Sequence, residues 1–251
     1  MESIVIALLK QVFSKGVSKL WDNKDVAWLY IRTLFWTYRT KQIRFSLSYL
    51  FRIKIPGRNS YLLVLNRRIA NQLQPVGGVY KRYGDDKLFE SWGFVPDSQA
   101  NGLGVDHTSD CDLRFRVKGK YTVDVVKWFE EAKEREVSGE REFCEELLET
   151  GILEREVFKS IRYKHIRRHS RHLKWSEFHQ CYEVLIYDVY ELLPSDKQRE
   201  ALVALAAQPL DLTKGFAIAE CEQIEQCRFH RDGTQLAKIG QHTKLIINQS
   251  F

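Results

Sequence analysis

Between Arg141 and Ile152 the chain reads REFCEELLETGI, and this segment constrains its local fold more tightly than any other. Residues three and four apart are neighbours on a helical surface, so Phe143, Leu147 and Leu148 share one side of a helix. Glu142, Glu145, Glu146 and Glu149 recur at the same spacing and converge on the opposite side. Ser138 precedes the segment, and serine is a favoured N-cap because its hydroxyl satisfies a free backbone N–H. The pattern predicts a helix over 139–149 with an apolar face turned inward. Clustered carboxylates repel one another, and a bound cation relieves that cost; an oxygen-only donor set suits Mg2+ or Mn2+ better than zinc. Arg141, at i,i+4 to Glu145, can hold a carboxylate in place by a charge-assisted hydrogen bond. A solvated acidic helix is the plainer reading of the same residues.

The rest of the chain reads as mixed α/β. From residue 43 the period becomes strand-like: IRFSLSYLFRIKI, a turn at Pro56–Ser60, then YLLVLNRR, the pattern of a β-hairpin. The following QLQPVGGVYK carries Gly77-Gly78 at the edge of a strand, where glycine permits close approach of a backbone or ligand. Residues 79–123 read as an irregular insertion that ends in the strand-like DLRFRV. Asp106, Asp110 and Asp112 within it suit turn formation. A strand pair follows around a polar turn near 169–175, and Arg162, Lys164, Arg167, Arg168, Arg171 and Lys174 give that turn a strong positive charge. Arginine forks match phosphate oxygens, so Arg167 and Arg168 are candidate substrate-binding residues. Charge on a hairpin edge also serves simply to resist aggregation. A helix at 195–207 capped by Ser195, a strand at 216–219 with a helical turn after it, and a closing helix over LAKIGQHTKLIINQ complete the pattern.

Arg141-Glu142-Phe143-Cys144-Glu145-Glu146 resembles the core of the Nudix box, and Pro75-Val76-Gly77-Gly78 resembles its usual glycine-pair entry. The resemblance implies that Glu142, Glu145 and Glu146 are metal ligands and, with Arg141, the catalytic residues. It also implies that Gly77 and Gly78 offer backbone groups to the metal or phosphate. The runs YLFRI, QPVGGVYK, DLRFRV, KWFEEAKERE, REFCEELLETGIL and QCYEVLIYDVYEL are similar to the SMODS-associated Nudix proteins, which are encoded beside nucleotide second-messenger synthases in bacterial anti-phage systems. That likeness implies a Nudix-like α/β/α sandwich around a mixed sheet over 42–251, interrupted by the insertion at about 79–123. It implies either Mg2+-dependent hydrolysis of a nucleoside diphosphate-linked substrate or a catalytically degenerate sensor of a nucleotide second messenger. The chain departs from the box in two ways. The segment 79–137 separates the glycine pair from Ser138, leaving Glu134 and Glu136 as candidates for the first box glutamate. Three residues are added before Thr150-Gly151, close to one turn at 3.6 residues per turn, which in a regular helix keeps the face.

Residues 1–41 read as a pair of amphipathic helices. Ile4, Leu8, Val12, Val17 and Leu20 fall near helical spacing, and VAWLYIRTLFWTY is too aromatic to be left uncovered. Packing on the body of the chain, homo-oligomer formation and peripheral membrane contact are the three uses of such a surface. Lys10 and Arg32 interrupt any run long enough to span a bilayer. Five cysteines without a C-x-x-C pair point to free thiols in a reducing cytoplasm. The formal charge of +6 favours phosphates, nucleic acid or an anionic membrane face without choosing among them; the resemblance implies a nucleotide or nucleotide second messenger. Nucleic acid ranks last because no recognised nucleic-acid motif is present.

Overall fold

The computed structural model describes residues 38–83, 87–97 and 111–248, together with Leu29 and Thr33. The expected N-terminal helical pair lies outside the described residues apart from those last two, which are helical and joined by a Thr33 hydroxyl donating to the Leu29 carbonyl at 2.8 Å. Asp106 and Asp110 also lie outside them. The strands are β1 (Gln42–Arg52), β2 (Ser60–Leu65), β3 (Gln72–Gln74), β4 (Gly77–Val79), β5 (Val95–Pro96), β6 (Arg114–Lys118), β7 (Tyr163–Ser176), β8 (Cys181–Leu192), β9 (Phe216–Glu220), β10 (Arg228–Arg231) and β11 (Thr234–Ile239). They form two sheets rather than one, with hydrogen-bonded orders β5-β6-β1-β8-β7, to which β4 adds by pairing with β1, and β10-β11-β3-β2-β9.

The chain divides into two compact units. The first comprises Met1–Ser46, Lys81–Arg135 and Arg171–Leu185, the second Leu47–Tyr80, Glu136–Ser170 and Ile186–Phe251. In the first, the start of β1 pairs antiparallel with β6, setting Phe45 opposite Phe115. Their rings stack at 5.5 Å. The helix Thr122–Glu131 buries Val123, Val125, Val126, Trp128 and Phe129, and its Trp128 meets Phe89 edge-on at 4.9 Å. Along β1 the polar residues Arg44, Ser46 and Ser48 are buried as well as the apolar ones. Arg44 is therefore paired, to Asp97 at 2.8 Å and Glu183 at 3.0 Å, since an unpaired buried charge is far costlier than a paired one. The stretch read as an irregular insertion thus holds β5, β6 and the start of a helix, and the DLRFRV strand is β6.

In the second unit, the chain leaves β1 and turns at Pro56–Ser60. Ile55 N–H donates to the Ser60 carbonyl and Leu62 N–H to the Ile53 carbonyl, at 2.9 and 3.0 Å. The expected hairpin is real at its tip, yet β1 and β2 then part into different sheets. β2 continues as a strand of the second sheet because Leu63 packs among Leu73, Ala217, Ala219 and Ile239, and Leu62 is buried as well. The polar turn expected near 169–175 lies instead at 177–180, and the basic residues run along β7 rather than crowd at a tip. β7 is polar along most of its length, with Ile166 and Leu173 its only aliphatic side chains, so polarity alone misplaced the turn. The helix from Asp196 is capped by Ser195 through a reciprocal box with Gln198, as its sequence predicts. The closing segment is β11 followed by a short 3-10 helix over Gln241–Ile247, not one helix. All five cysteines are free. Among the described residues no helix is long and apolar enough to cross a membrane.

Phe143 anchors the glutamate-bearing segment. It is 1% exposed and meets Phe51 at 5.5 Å and Phe158 at 6.3 Å. Truncation of a buried phenylalanine costs about 3–5 kcal/mol. Phe143→Ala is expected to lower unfolding stability by that amount in urea titrations.

Candidate functional site

The glycine pair occupies β4, antiparallel to β1, with Gly78 opposite Tyr49 and Gly77 opposite Leu50. Gly77 adopts φ +145°, and a Cβ there would lie 2.2 Å from the Tyr49 carbonyl oxygen. At Gly78 a Cβ would lie 2.1 Å from Oε1 of Glu142. Gly78 therefore clears the space that the Glu142 carboxylate occupies, and Gly77 lets β4 lie close on β1. Two features separated in sequence by 79–141 are joined here.

The glutamate-bearing helix is not regular. It begins at Glu140, with Gly139 as N-cap and no side-chain cap. Ser138, the expected cap, instead hydrogen-bonds Tyr163. Gly139 is needed where it stands because a Cβ would press to 2.7 Å from the Phe51 ring. After Phe143 the backbone widens into a π-helical turn over Cys144–Leu148, closed by Glu149 N–H on the Cys144 carbonyl at 2.9 Å. Such turns are often found at functional sites. A π-turn thus interrupts the helix where the residues are added, and the single carboxylate face expected of a regular helix is divided. Glu146 is buried, Glu142 and Glu145 are partly exposed, and Glu149 is exposed.

Arg141 organises the group. Its Nε and Nη2 donate to the two carboxylate oxygens of buried Glu136 at 3.1 and 3.2 Å, and Nη2 also donates to the Val79 carbonyl at 2.9 Å. Nη1 donates to Glu142 at 2.6 Å and lies 3.5 Å from Glu145. Burial disfavours the guanidinium charge, but the hydrogen bonds to Glu136, with Tyr49 and Glu142 close by, hold its pKa above the ordinary value. Of the two candidates for the first box glutamate, Glu136 is the one in this cluster, whereas Glu134 lies in the other unit. The Glu142 backbone N–H donates to the Tyr49 hydroxyl at 3.4 Å.

Glu146 is 8% exposed. It accepts the Gly77 N–H at 2.9 Å and, more weakly, the Gln74 amide at 3.5 Å. Burial, reinforced by the charge of Glu142, pushes its carboxyl up to about 8 against the pull of the Gly77 N–H and of Arg67. An uncharged Glu146 at neutral pH is what a buried carboxyl without a cation partner adopts.

Arg168 gives its fork to Asp188, with bonds of 2.7 and 2.8 Å. Tyr80 and His165 reach the same carboxylate at 2.9 and 3.2 Å. Asp188 is buried, which disfavours its charge, yet these partners hold it below the usual carboxylate range. Arg167, next along β7, is exposed and acts on His169; successive strand residues face opposite ways. The two arginines therefore do not form one clamp. Sequence reading overlooked Tyr49, Gln74, Asp188 and Arg67. Asp188 had a signal, as a charge inside the apolar run VLIYDVY; Arg67, in the β2–β3 turn, had none.

Among the described residues no three His, Cys, Asp or Glu side chains converge as a preformed metal cluster. The donors present nonetheless suit Mg2+, which commonly uses one or two carboxylates and keeps several waters. Glu142 and Glu146 act electrostatically on each other, and the glycine at 78 makes the room in which the Glu142 carboxylate sits.

Residues 42–247 match the family model described as SMODS-associated NUDIX domain. The chain belongs to this family. No curated protein and no solved structure matches it. As a SMODS-associated NUDIX domain it falls in a superfamily that generally uses divalent metals such as Mg2+. Within it, Arg141, Glu142, Glu145, Glu146, Gly77 and Gly78 are brought together, while Arg168 is committed to Asp188.

The raised Glu146 carboxyl has a thermodynamic consequence. A group whose folded-state pKa lies above its unfolded value contributes stability that is present below the unfolded value and lost as pH rises through the folded one. Metal-free protein is therefore expected to lose thermal stability as pH climbs from about 5 to beyond about 8. Glu146→Gln removes that slope, gaining on the order of a few kcal/mol over wild type at high pH. Melting temperatures of both proteins in EDTA between pH 6 and 9 check this; parallel curves would count against it.

Proposed function

We propose that this SMODS-associated NUDIX domain is a Mg2+- or Mn2+-dependent hydrolase of a nucleoside diphosphate-linked or related nucleotide, acting in the cytoplasm as an accessory or effector of bacterial anti-phage defence of the CBASS type. The observation that carries the reading is the junction of Gly78 with Glu142 and of Gly77 with Glu146. It restores in space a box that the sequence interrupts. Its α/β/α sandwich belongs to the same reading, as does an oligomer-forming or membrane-touching role for the N-terminal helices.

Glu142, Glu145 and Glu146 would hold the cation, and Gly77 and Gly78 would let a phosphate approach their backbone. The cation supplies a polarised phosphoryl oxygen or a water of lowered pKa. Glu146 would surrender its proton on binding, since a ligating carboxylate must be ionised. Arg141 orients Glu142, and Glu136 in turn orients Arg141. Such outer partners fix ligand geometry and are often as necessary as the ligands.

A second reading has its own observation. Arg141 already stands against Glu142 at 2.6 Å and near Glu145 at 3.5 Å, so part of the carboxylate charge is compensated within the protein. That arrangement favours a sensor which binds a nucleotide second messenger without cleaving it. The two are separated by incubating the chain with nucleotides and cyclic oligonucleotides plus Mg2+, reading both binding heat and products. Hydrolysis predicts turnover that Glu145→Gln or Glu146→Gln abolishes while circular dichroism stays unchanged. Wild-type turnover in those variants would overturn the hydrolase reading; tight binding without product would support the sensor.

A further inference from the structure

The turn at 177–180, which joins β7 to β8 in the first unit, carries large rings where a turn is ordinarily polar. Phe178 is 84% exposed, and Trp175, near the end of β7, is 43% exposed. A single exposed ring needs no explanation, but neighbouring ones mark a surface that meets something. The turn also satisfies polar groups of its own backbone. Ser176 Oγ accepts the His179 N–H at 3.3 Å, and the Gln180 side-chain amide donates to the Glu177 carbonyl at 2.5 Å. Groups paired in this way lower the cost of carrying the turn into a less polar medium.

Cations border these rings. Trp175 meets Tyr182 edge-on at 5.2 Å, Tyr182 meets Tyr38 at 4.8 Å, and the Lys41 ammonium stands over both tyrosine rings at 5.3 and 5.6 Å. Lys118 lies opposite Gln42 in the β1–β6 register. Beside it the Gly119 N–H donates to the Lys41 carbonyl at 2.9 Å and the Lys120 N–H to the Arg39 carbonyl at 3.0 Å. Arg39, Lys41, Lys118 and Lys120 are thus gathered where β1 begins, and Tyr182 links them to Trp175. Two acids of this unit, Asp97 and Glu183, are turned to Arg44, which leaves Glu177 as the acid of the turn itself. The stretch read as amphipathic helices enters the described chain at Tyr38, on this same edge.

We propose that this edge of the first unit rests on an anionic lipid surface, with Phe178 and Trp175 entering the interface and Arg39, Lys41, Lys118 and Lys120 meeting the headgroup phosphates. Aromatic rings settle at headgroup level, and each cation near an anionic leaflet strengthens binding about fivefold, so rings and cations together hold a protein that neither holds alone. A single-stranded nucleic acid offers the same charge, but its bases stack on open ring faces. Here the Lys41 ammonium lies over the faces of Tyr38 and Tyr182, and the most exposed ring, Phe178, belongs to a turn rather than to a flat platform. No residue of the glutamate and glycine-pair site takes part, so the proposal stands apart from the hydrolase and sensor readings.

The test floats the full chain with vesicles of phosphatidylcholine alone or mixed in equal parts with phosphatidylglycerol, and in parallel titrates a fluorescent oligothymidylate by anisotropy. Wild type is expected to bind the anionic vesicles at least tenfold more strongly than the neutral ones, and to weaken as salt screens the cations. Phe178→Ser should lower anionic-vesicle affinity at least fivefold with the melting temperature unchanged, and the pair Lys41→Glu with Lys118→Glu at least tenfold. Glu177→Gln should raise it, since the one acid of the turn opposes an anionic surface. Ile69→Ser, which removes an exposed aliphatic side chain of the second unit, should match wild type. Anionic-vesicle binding undiminished in Phe178→Ser overturns the proposal and assigns that binding to another part of the chain. Absence of vesicle binding by wild type overturns it as well, and oligothymidylate binding that Phe178→Ser abolishes would then assign the edge to nucleic acid.

Discussion

Glu136 lies 4% exposed, and a carboxylate so placed demands a partner that satisfies both oxygens. Arg141 supplies it, and in doing so fixes the site. The same guanidinium that meets Glu136 also grips the Val79 carbonyl of β4 and the Glu142 carboxylate. Strand and helix are thereby held at a spacing where the Glu142 carboxylate fits over Gly78 and nothing larger than glycine could stand beneath it. Take away the guanidinium and buried Glu136 loses the fork that meets both its oxygens, Val79 loses a donor, and the register between β4 and the helix has one fewer constraint. Interactions sharing one side chain in this way couple, so their loss is not the sum of separate bonds.

The π-turn follows from the same anchoring. Arg141 pins the start of the helix, while Leu147 and Leu153 are buried beyond it and Leu153 N–H bonds the Leu147 carbonyl at 2.9 Å. A segment held at both ends and carrying added residues must either bulge outward or widen its backbone, and this one widens. Its consequence is chemical. A regular helix would present Glu142, Glu145 and Glu146 to similar surroundings, whereas here Glu146 is driven inside and Glu145 remains outside. One helix therefore sets its carboxylates in different surroundings, and burial raises the pKa of the Glu146 carboxyl.

Local rules were legible where the sequence decides locally. Ser195 with Gln198 made the capping box that their spacing specifies, β6 and β8 followed their β-branched and aromatic runs, and the glutamates and Gly77-Gly78 met as the box resemblance implies. The failures have one physical origin, the dominance of distant packing over local pattern. β1 and β2 form a hairpin tip but choose different sheets, a choice made by Leu73, Ala217 and Ile239 far along the chain. β11 reads as helix from its apolar spacing, yet it pairs with β3 and β10. Ser138 is a sound cap by type, but the Phe51 ring admits only Gly139 at the position that caps. Arg67 carries no sequence signal because its role depends on a turn folding back onto a helix at residue 145.

The interrupted box illustrates what contiguity in a motif stands for. A glycine pair just before a helix is one way of keeping the two within reach, but chemistry requires only that they meet. Lys81–Arg135 belongs to the first unit, while Tyr80 and Glu136, on either side of it, belong to the second. At the root of this excursion the outgoing and returning backbones run side by side: Arg82 bridges Arg135 antiparallel, and Tyr83 N–H donates to the Glu134 carbonyl at 2.6 Å. The entropic cost of closing a loop grows only with the logarithm of its length, so once those ends are zipped, the size of what lies between them scarcely matters to the site. The excursion can therefore hold its own strands, helix and buried ion pairs. The geometry of Gly78 and Glu142 is set within the second unit, where β4 and the Arg141 fork hold 77–80 and 136–142 together.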